Sequence, residues 1–203
     1  MKKNVGFLLL FILLAYDTVF CQGDHTQRPA LGIYFFFHDF TTAADIRASS
    51  LRSVFRNGQF GRLGDMSPGL AINYINGLSE HFDFTTALTG AYLSYFKKDG
   101  TLLGEDNLLL EGDVSVKGKL FSNRYWVTPF VQLGAGISKY KSYWGTFIPA
   151  GTGFQVNLFE EAYVMFNAQY RIGVTSTVSD HFFYSLGIAG ILGRKKTSTV
   201  LPD

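Results

Sequence analysis

The sequence predicts an all-β chain, folded as an eight-stranded antiparallel up-and-down transmembrane β-barrel. Three observations predict it. Apolar and polar residues alternate through eight segments of about ten to thirteen residues, longer than the roughly five or six usual in soluble sheets. The connections alternate between longer and shorter, the first being the longest at residues 41–67, as in barrels with long outer loops and short inner turns. A secretory leader precedes the strands without any membrane helix, and only helices and closed barrels satisfy their backbone within lipid.

Composition agrees with this class. Gly (22), Phe (20) and Tyr (11) are abundant among 203 residues, and Pro (5) is scarce. Such a mixture suits many strands and tight turns. The length suggests one domain, or at most two small ones. A net charge of +2 gives no electrostatic case for nucleic acid.

The leader is "MKKNVGFLLLFILLAYDTVFCQG". Lys2 and Lys3 precede an apolar run from Val5 to Ala15, then a more polar tail. That is the layout of a signal peptide, and the run is far short of the roughly 20 residues of a spanning helix. The expected leader is 1–21, cut after Cys21 to leave Gln22 first. Lipidation of Cys21 is the alternative, disfavoured by the bulky Phe20 before it. Cleavage after Cys21 leaves no cysteine and no disulfide. It removes two of 18 basic and one of 16 acidic residues, leaving a net charge of +1.

The barrel is expected over 22–193. Its first strand is Ala30–Phe40, "ALGIYFFFHDF". Residues 41–67 form a polar loop, with room for a short helix, that carries Arg47, Arg52, Arg56 and Arg62. The second strand, Pro68–Asn76, sets Leu70, Ile72 and Tyr74 against Ala71 and Asn73. "GLSEH" turns the chain into the third, Phe82–Phe96. "KKDGTLLGED" reads as a loop with a DG turn. The fourth strand, Leu108–Leu120, sets Leu110, Gly112, Val114 and Val116 against Glu111, Asp113, Ser115, Lys117 and Lys119. The fifth, Tyr125–Lys139, sets Val127, Val131, Leu133 and Ile137 against Thr128, Gln132 and Ser138. The sixth is expected at Phe147–Leu158. The seventh, from Tyr163 in "YVMFNAQYRIGVTS", sets Val164, Phe166, Ala168, Tyr170 and Ile172 against Asn167, Gln169 and Arg171. The eighth is His181–Leu192.

Alternation alone does not say which face meets water. A soluble, lipocalin-like barrel turns its apolar residues inward around a ligand. Length and flanking aromatics favour the membrane. Val127–Ile137, at roughly 3.3 Å per residue and a tilt near 40°, rises about 28 Å, close to the apolar band of about 25 Å. Tyr125 and Trp126 flank it at one end, and Tyr140, Tyr143 and Trp144 at the other, as at the two membrane interfaces. The apolar faces are therefore expected to meet lipid.

"PFVQLGAGISKY", "GTGFQVNLFEEAYVMFNAQYRIG" and "HFFYSLGIAGILG" resemble the last four strands of bacterial outer-membrane β-barrel domains related to outer-membrane protein A. "HDF" and "DMSPGLAINYINGL" fit the same family, so the resemblance covers about Ala30 to Gly193. It implies the outer membrane of a Gram-negative cell, with both termini periplasmic and outer-membrane lipids and lipopolysaccharide as surroundings. In many relatives a periplasmic peptidoglycan-binding domain follows. Here only 194–203, "RKKTSTVLPD", remains, a short periplasmic tail resembling the stub of such a linker. Peptidoglycan binding is not carried over.

The chemistry-bearing residues are expected in the lumen: Glu111, Asp113 and Lys117 from the fourth strand, Asn167, Gln169 and Arg171 from the seventh. An eight-stranded barrel is wide enough only to fill with side chains, and buried charges there must pair. The expected role is structural or scaffolding, beside a larger envelope complex, with a narrow pore or a lipid-modifying enzyme as alternatives. No catalytic group or cofactor is expected. His181 and Ser185 share a face but stand about 13 Å apart, too far for a nucleophile–base pair. Asp180 and His181 point to opposite faces. The four histidines lack metal-ligand spacing along the chain. The loop arginines Arg47, Arg52, Arg56 and Arg62 suit lipopolysaccharide phosphates or a partner protein.

Overall fold

The computed structural model describes residues 26–96, 102–159 and 161–193. The expected leader 1–21 and tail 194–203 lie outside the described residues. Eight strands run in order: β1 Ala30–Asp39, β2 Ser67–Gly77, β3 Phe82–Phe96, β4 Leu102–Lys119, β5 Val127–Tyr140, β6 Tyr143–Leu158, β7 Ala162–Gly173 and β8 His181–Ile191. Each pairs antiparallel with its sequence neighbours. β8 returns to β1, with Phe36 opposite Ser185 and His38 opposite Phe183, so the barrel is closed. Closure leaves no sheet edge with unpaired backbone groups, the condition for a sheet within lipid.

The face assignment is inside-out relative to a soluble barrel. Ile33, Leu70, Ile72, Leu88, Val131, Leu133, Leu186 and Ile188 are each more than half exposed. Glu111, Asp113, Lys117, Gln169 and Arg171 are each at most 5 % exposed. A soluble domain burying its apolar residues would show the opposite. Between the charged rows, Tyr34, Phe36, Phe130, Phe147 and Phe183 also point inward and are buried.

Several boundaries differ from expectation, each for a local reason. β1 ends one residue early because Asp39 caps a helix: its Oδ1 accepts the backbone N–H of Thr42 at 2.8 Å. The long first connection holds two helices, α1 (Phe40–Ala48) and α2 (Leu51–Arg56). α2 is capped by Ser50, whose hydroxyl accepts the N–H of Ser53 at 3.2 Å. β4 begins at Leu102 rather than Leu108. The sheet continues past the expected end of the hairpin, accommodated by register shifts at Leu93/Tyr95 and Tyr95/Phe96. The start of the expected DG loop, 97–101, lies outside the described residues. β6 begins at Tyr143 rather than Phe147, since Tyr140 pairs directly with Tyr143 and leaves a two-residue turn. Lys141 takes the left-handed conformation that this turn needs (φ 53°). β7 stops at Gly173, before the expected Val174–Ser176.

The aromatic rim also needs one correction. Tyr125, Trp126, Tyr143 and Trp144 are exposed, but Tyr140 is buried. Its hydroxyl donates inside the barrel, toward the carbonyls of Leu93 at 3.0 Å and Gly104 at 2.8 Å. Parity decides this: Tyr140 shares the face of Gln132 and Ser138, and not that of Val131 and Ile137.

Candidate functional site

Layers of polar side chains occupy the lumen, and strand parity places those that come from the strands. β4 contributes every second residue from Glu111 to Lys119, and β7 contributes Tyr163 to Arg171. β4 and β7 are three strands apart, nearly opposite in a narrow barrel. A long arginine is the side chain that can bridge them.

Arg171 does so. Its Nη1 donates to Glu111 Oε2, its Nη2 to Asp113 Oδ2 at 3.3 Å, and its Nε to Gln169 Oε1 at 3.3 Å. Ser115 donates to the other oxygen of Asp113 at 3.2 Å. The guanidinium lies 3.8 Å from the ring centroid of Phe183 and 5.0 Å from that of Phe147. Both rings lie within cation–π reach of the guanidinium. Charge, fork geometry and stacking all favour arginine over lysine here.

Toward the end of the barrel that carries the termini, the pairing changes. Lys119 pairs with Asp83 at 2.9 Å, and also donates to Asn123 Oδ1 at 3.1 Å. Lys117 stands between the layers. Its ammonium lies 3.8 Å from Met165 Sδ and 4.7 Å from the centroid of Phe130. It therefore does not join Arg171 on the carboxylates of Glu111 and Asp113. Gln27, from the segment before β1, reaches in and accepts a hydrogen bond from Gln155 at 2.8 Å. Asn167 lines a cavity beside Arg171 with Tyr34, Thr85 and Gln132. That cavity measures about 10 Å³, room for about one water.

At the opposite end Phe40, the first residue of α1, folds over the lumen. Its ring centroid is 4.4 Å from that of His181 and 5.4 Å from that of Tyr95. Outside the wall, α1 packs against β8, and Arg47 pairs with Asp180 at 2.9 Å. Arg52, Arg56 and Arg62 are exposed, as are Leu51, Phe55 and Leu63 beside them. The four loop arginines thus divide into one that fastens the loop and three that face solvent.

Sequence reasoning missed His38, and it read His181 only as a weak partner for Ser185 or Asp180. His181 and Ser185 both face the lumen and are buried, so neither meets lipid. His38 and His181 stack edge to face, with centroids 4.7 Å apart, beside Glu111. Spacing along the chain could not reveal this cluster, since closure of the barrel brings residues 38 and 181 together. Parity in β1 was the one available signal, and the aromatic run "IYFFF" hides it by placing rings on both faces.

No family model matches the sequence, and no curated protein matches it. Solved structures do share its fold. Neisserial surface protein A is 11 % identical over 82 % of this chain and 99 % of its own, with a TM-score of 0.55. The N-terminal β-barrel domain of Pseudomonas aeruginosa OprF is 10 % identical over 81 % and 98 %, with a TM-score of 0.51. Ail, the attachment invasion locus protein of Yersinia pestis, is 12 % identical over 81 % and 98 %, with a TM-score of 0.49. The chain has the closed eight-stranded fold of outer-membrane barrels, as its resemblance to barrels related to outer-membrane protein A implies.

Proposed function

We propose that this outer-membrane barrel has a structural or scaffolding role, with its lumen plugged by the polar network and both termini in the periplasm. The observation that carries this reading is Arg171, held by Glu111, Asp113 and Gln169 and near the rings of Phe147 and Phe183, with a cavity of only about 10 Å³ beside it. Such a centre fixes the barrel wall and obstructs ion passage. What remains for interaction is the outer surface. The first loop supports this, since it shows three solvated arginines and three exposed apolar side chains on a folded, fastened support. Lipopolysaccharide phosphates or a neighbouring envelope subunit are the partners it suits. Two measurements test the reading. Reconstituted into planar bilayers, the barrel should give no stable conductance steps. Solubilised from cells in mild detergent, it should co-purify with a larger envelope complex. A large ion conductance in the unmutated protein would overturn the plug.

A further inference from the structure

The outer half of the β1/β8 seam holds two histidines that the plug does not use, beside the Glu111 that it does. Glu111 Oε2 lies 3.6 Å from His38 Nε2 and 3.8 Å from His181 Nε2. One ligand atom from each of the three residues falls within 4.8 Å of the others. All three are at most 1 % exposed. We infer that His38, His181 and Glu111 bind one borderline divalent transition-metal ion of the zinc class, fastening β1, β4 and β8 beneath the first loop.

Four observations carry this. The first is the tautomer of His181. Its Nδ1 lies 3.0 Å from the carbonyl oxygen of Ser179. A carbonyl only accepts, so Nδ1 carries the hydrogen, and in the neutral ring Nε2 carries the lone pair. That lone pair faces the Glu111 carboxylate, so acceptor faces acceptor unless a cation sits between them. A backbone carbonyl on the far nitrogen is also what orients a metal-binding imidazole.

The second is the set of unpartnered atoms. Among the described residues, His181 Nε2, His38 Nδ1 and Glu111 Oε1 are buried without a hydrogen-bond partner. Two of these orphans, His181 Nε2 and Glu111 Oε1, are costly unless something engages them, while His38 turns Nε2 rather than its orphan Nδ1 toward Glu111. Arg171 donates to Oε2 of Glu111, the oxygen that also faces both imidazoles, while Oε1 has no partner, so a turn of the carboxylate presents either oxygen to the ion. The same arginine then acts as the outer partner that holds the ligating carboxylate in place.

The third is distance. Donors about 2.0–2.2 Å from a tetrahedral ion stand roughly 3.4 Å from one another. The two Glu111 contacts need to close by only a few tenths of an ångström and the widest separation, within 4.8 Å, by at most about 1.4 Å, which side-chain torsions supply. The fourth is surroundings and charge. Phe36, Phe40 and Phe183 pack around the two imidazoles with centroids 4.4 to 5.6 Å away, an apolar shell around three donors whose fourth position falls to a single water. Glu111 and Asp113 against Arg171 leave one net negative charge in this trio beside the imidazoles when both are neutral. Two imidazoles and a carboxylate select zinc and its borderline neighbours over calcium or magnesium, which prefer oxygen.

The inference stands apart from the plug, since conductance and metal binding are read separately. The test uses the full chain refolded in detergent and stripped with a chelator. Zn²⁺ is supplied both to the folded barrel and during refolding, because Phe40 covers the site. Co²⁺ serves as a visible-absorption probe of coordination number. The expected result is one ion per barrel, a tetrahedral-type Co²⁺ spectrum, and a Zn²⁺-dependent rise in the temperature at which the folded gel band is lost. H38Q and H181Q should each weaken binding at least tenfold, whereas H81Q, at an exposed turn, should leave it unchanged. Absence of saturable binding by either route would overturn the site. So would equal binding by the H38Q/H181Q double variant. If acidification instead raises the melting temperature while Zn²⁺ does nothing, a proton rather than a metal joins the imidazoles to Glu111, and the proposal fails.

Discussion

Arg171 is the residue on which the lumen depends most. It is fully buried, and it is the cation bridging Glu111 and Asp113. Arg171→Ala removes that cation and leaves two carboxylates facing each other without water. Breaking a buried pair costs roughly 3–5 kcal/mol when burial is complete. The expected outcome is a barrel that still inserts but melts earlier, read from the heat-dependent gel shift of the folded form. Adding Glu111→Gln and Asp113→Asn should recover part of the loss, because the stranded charges go with the arginine. Strictly additive losses would contradict the pairing. This centre was legible in the sequence because period-2 alternation in β4 and β7 selects the inward residues directly. The partner of Lys119 was not legible. Asp83 stands in β3, two pairs from Lys119 along the β3–β4 ladder, and its parity becomes readable only once the register of that hairpin is known.

At the scale of the elements, the two faces of each strand carry opposite tolerances. Phe166 is exposed on β7 while Gln169 is buried on the same strand. In a bilayer Phe166→Arg, or Val131→Arg on β5, places a cation in hydrocarbon, a cost of roughly 2–4 kcal/mol near the midplane. Gln169→Arg instead adds length and charge beside Arg171, so its cost depends on the lumen and not on the lipid. Refolding into vesicles across a urea series should show the Phe166 and Val131 penalties only when lipid is present. The first loop behaves differently. Arg47 leaves 34 % of its side chain exposed in its pairing with Asp180, and a pair this wet contributes at most about 1 kcal/mol. Arg47→Ala should therefore speed proteolysis within 40–65 while the barrel's own melting stays nearly unchanged. Helices in this loop were half legible. Asp39 and Ser50 are good caps, but α2 is only Leu51–Arg56 and α1 has no clear apolar stripe, since tertiary packing of Ala43 and Val54 holds them. The two-residue turn at Lys141 was not legible, because nothing like Asn-Gly marks it and a lysine occupies the left-handed position.

For the whole molecule, an even number of strands puts both ends of the chain on one side. With the termini periplasmic, as proposed, the connection holding α1 and α2 would be outside and the β4–β5 turn inside. A cysteine placed at Asn57 should react with an impermeant reagent in intact cells, and one at Ser122 should not. The reverse pattern would invert the barrel. The architecture was legible as a whole because strand length, loop alternation and outward apolar faces are all set by the bilayer. The histidine cluster was not, since no local pattern encodes a contact made by closing the ring.

The seam itself has a kinetic consequence. β1 and β8 pair residues that lie roughly 150 positions apart, such as Phe36 and Ser185, whereas every other strand pair joins sequence neighbours, the longest connection among them being the helical one between Asp39 and Ser67. Chain entropy makes so long a loop the slowest to close, and contacts of this separation delay folding. Until β8 arrives, β1 and β8 each offer a raw edge that hydrocarbon does not tolerate, so the early hairpins have to wait at the membrane surface. His38, Phe36, His181 and Phe183 meet only at the final step. Their contacts time-stamp the end of assembly, and a fluorescence or exchange probe placed among them would report completion and nothing earlier.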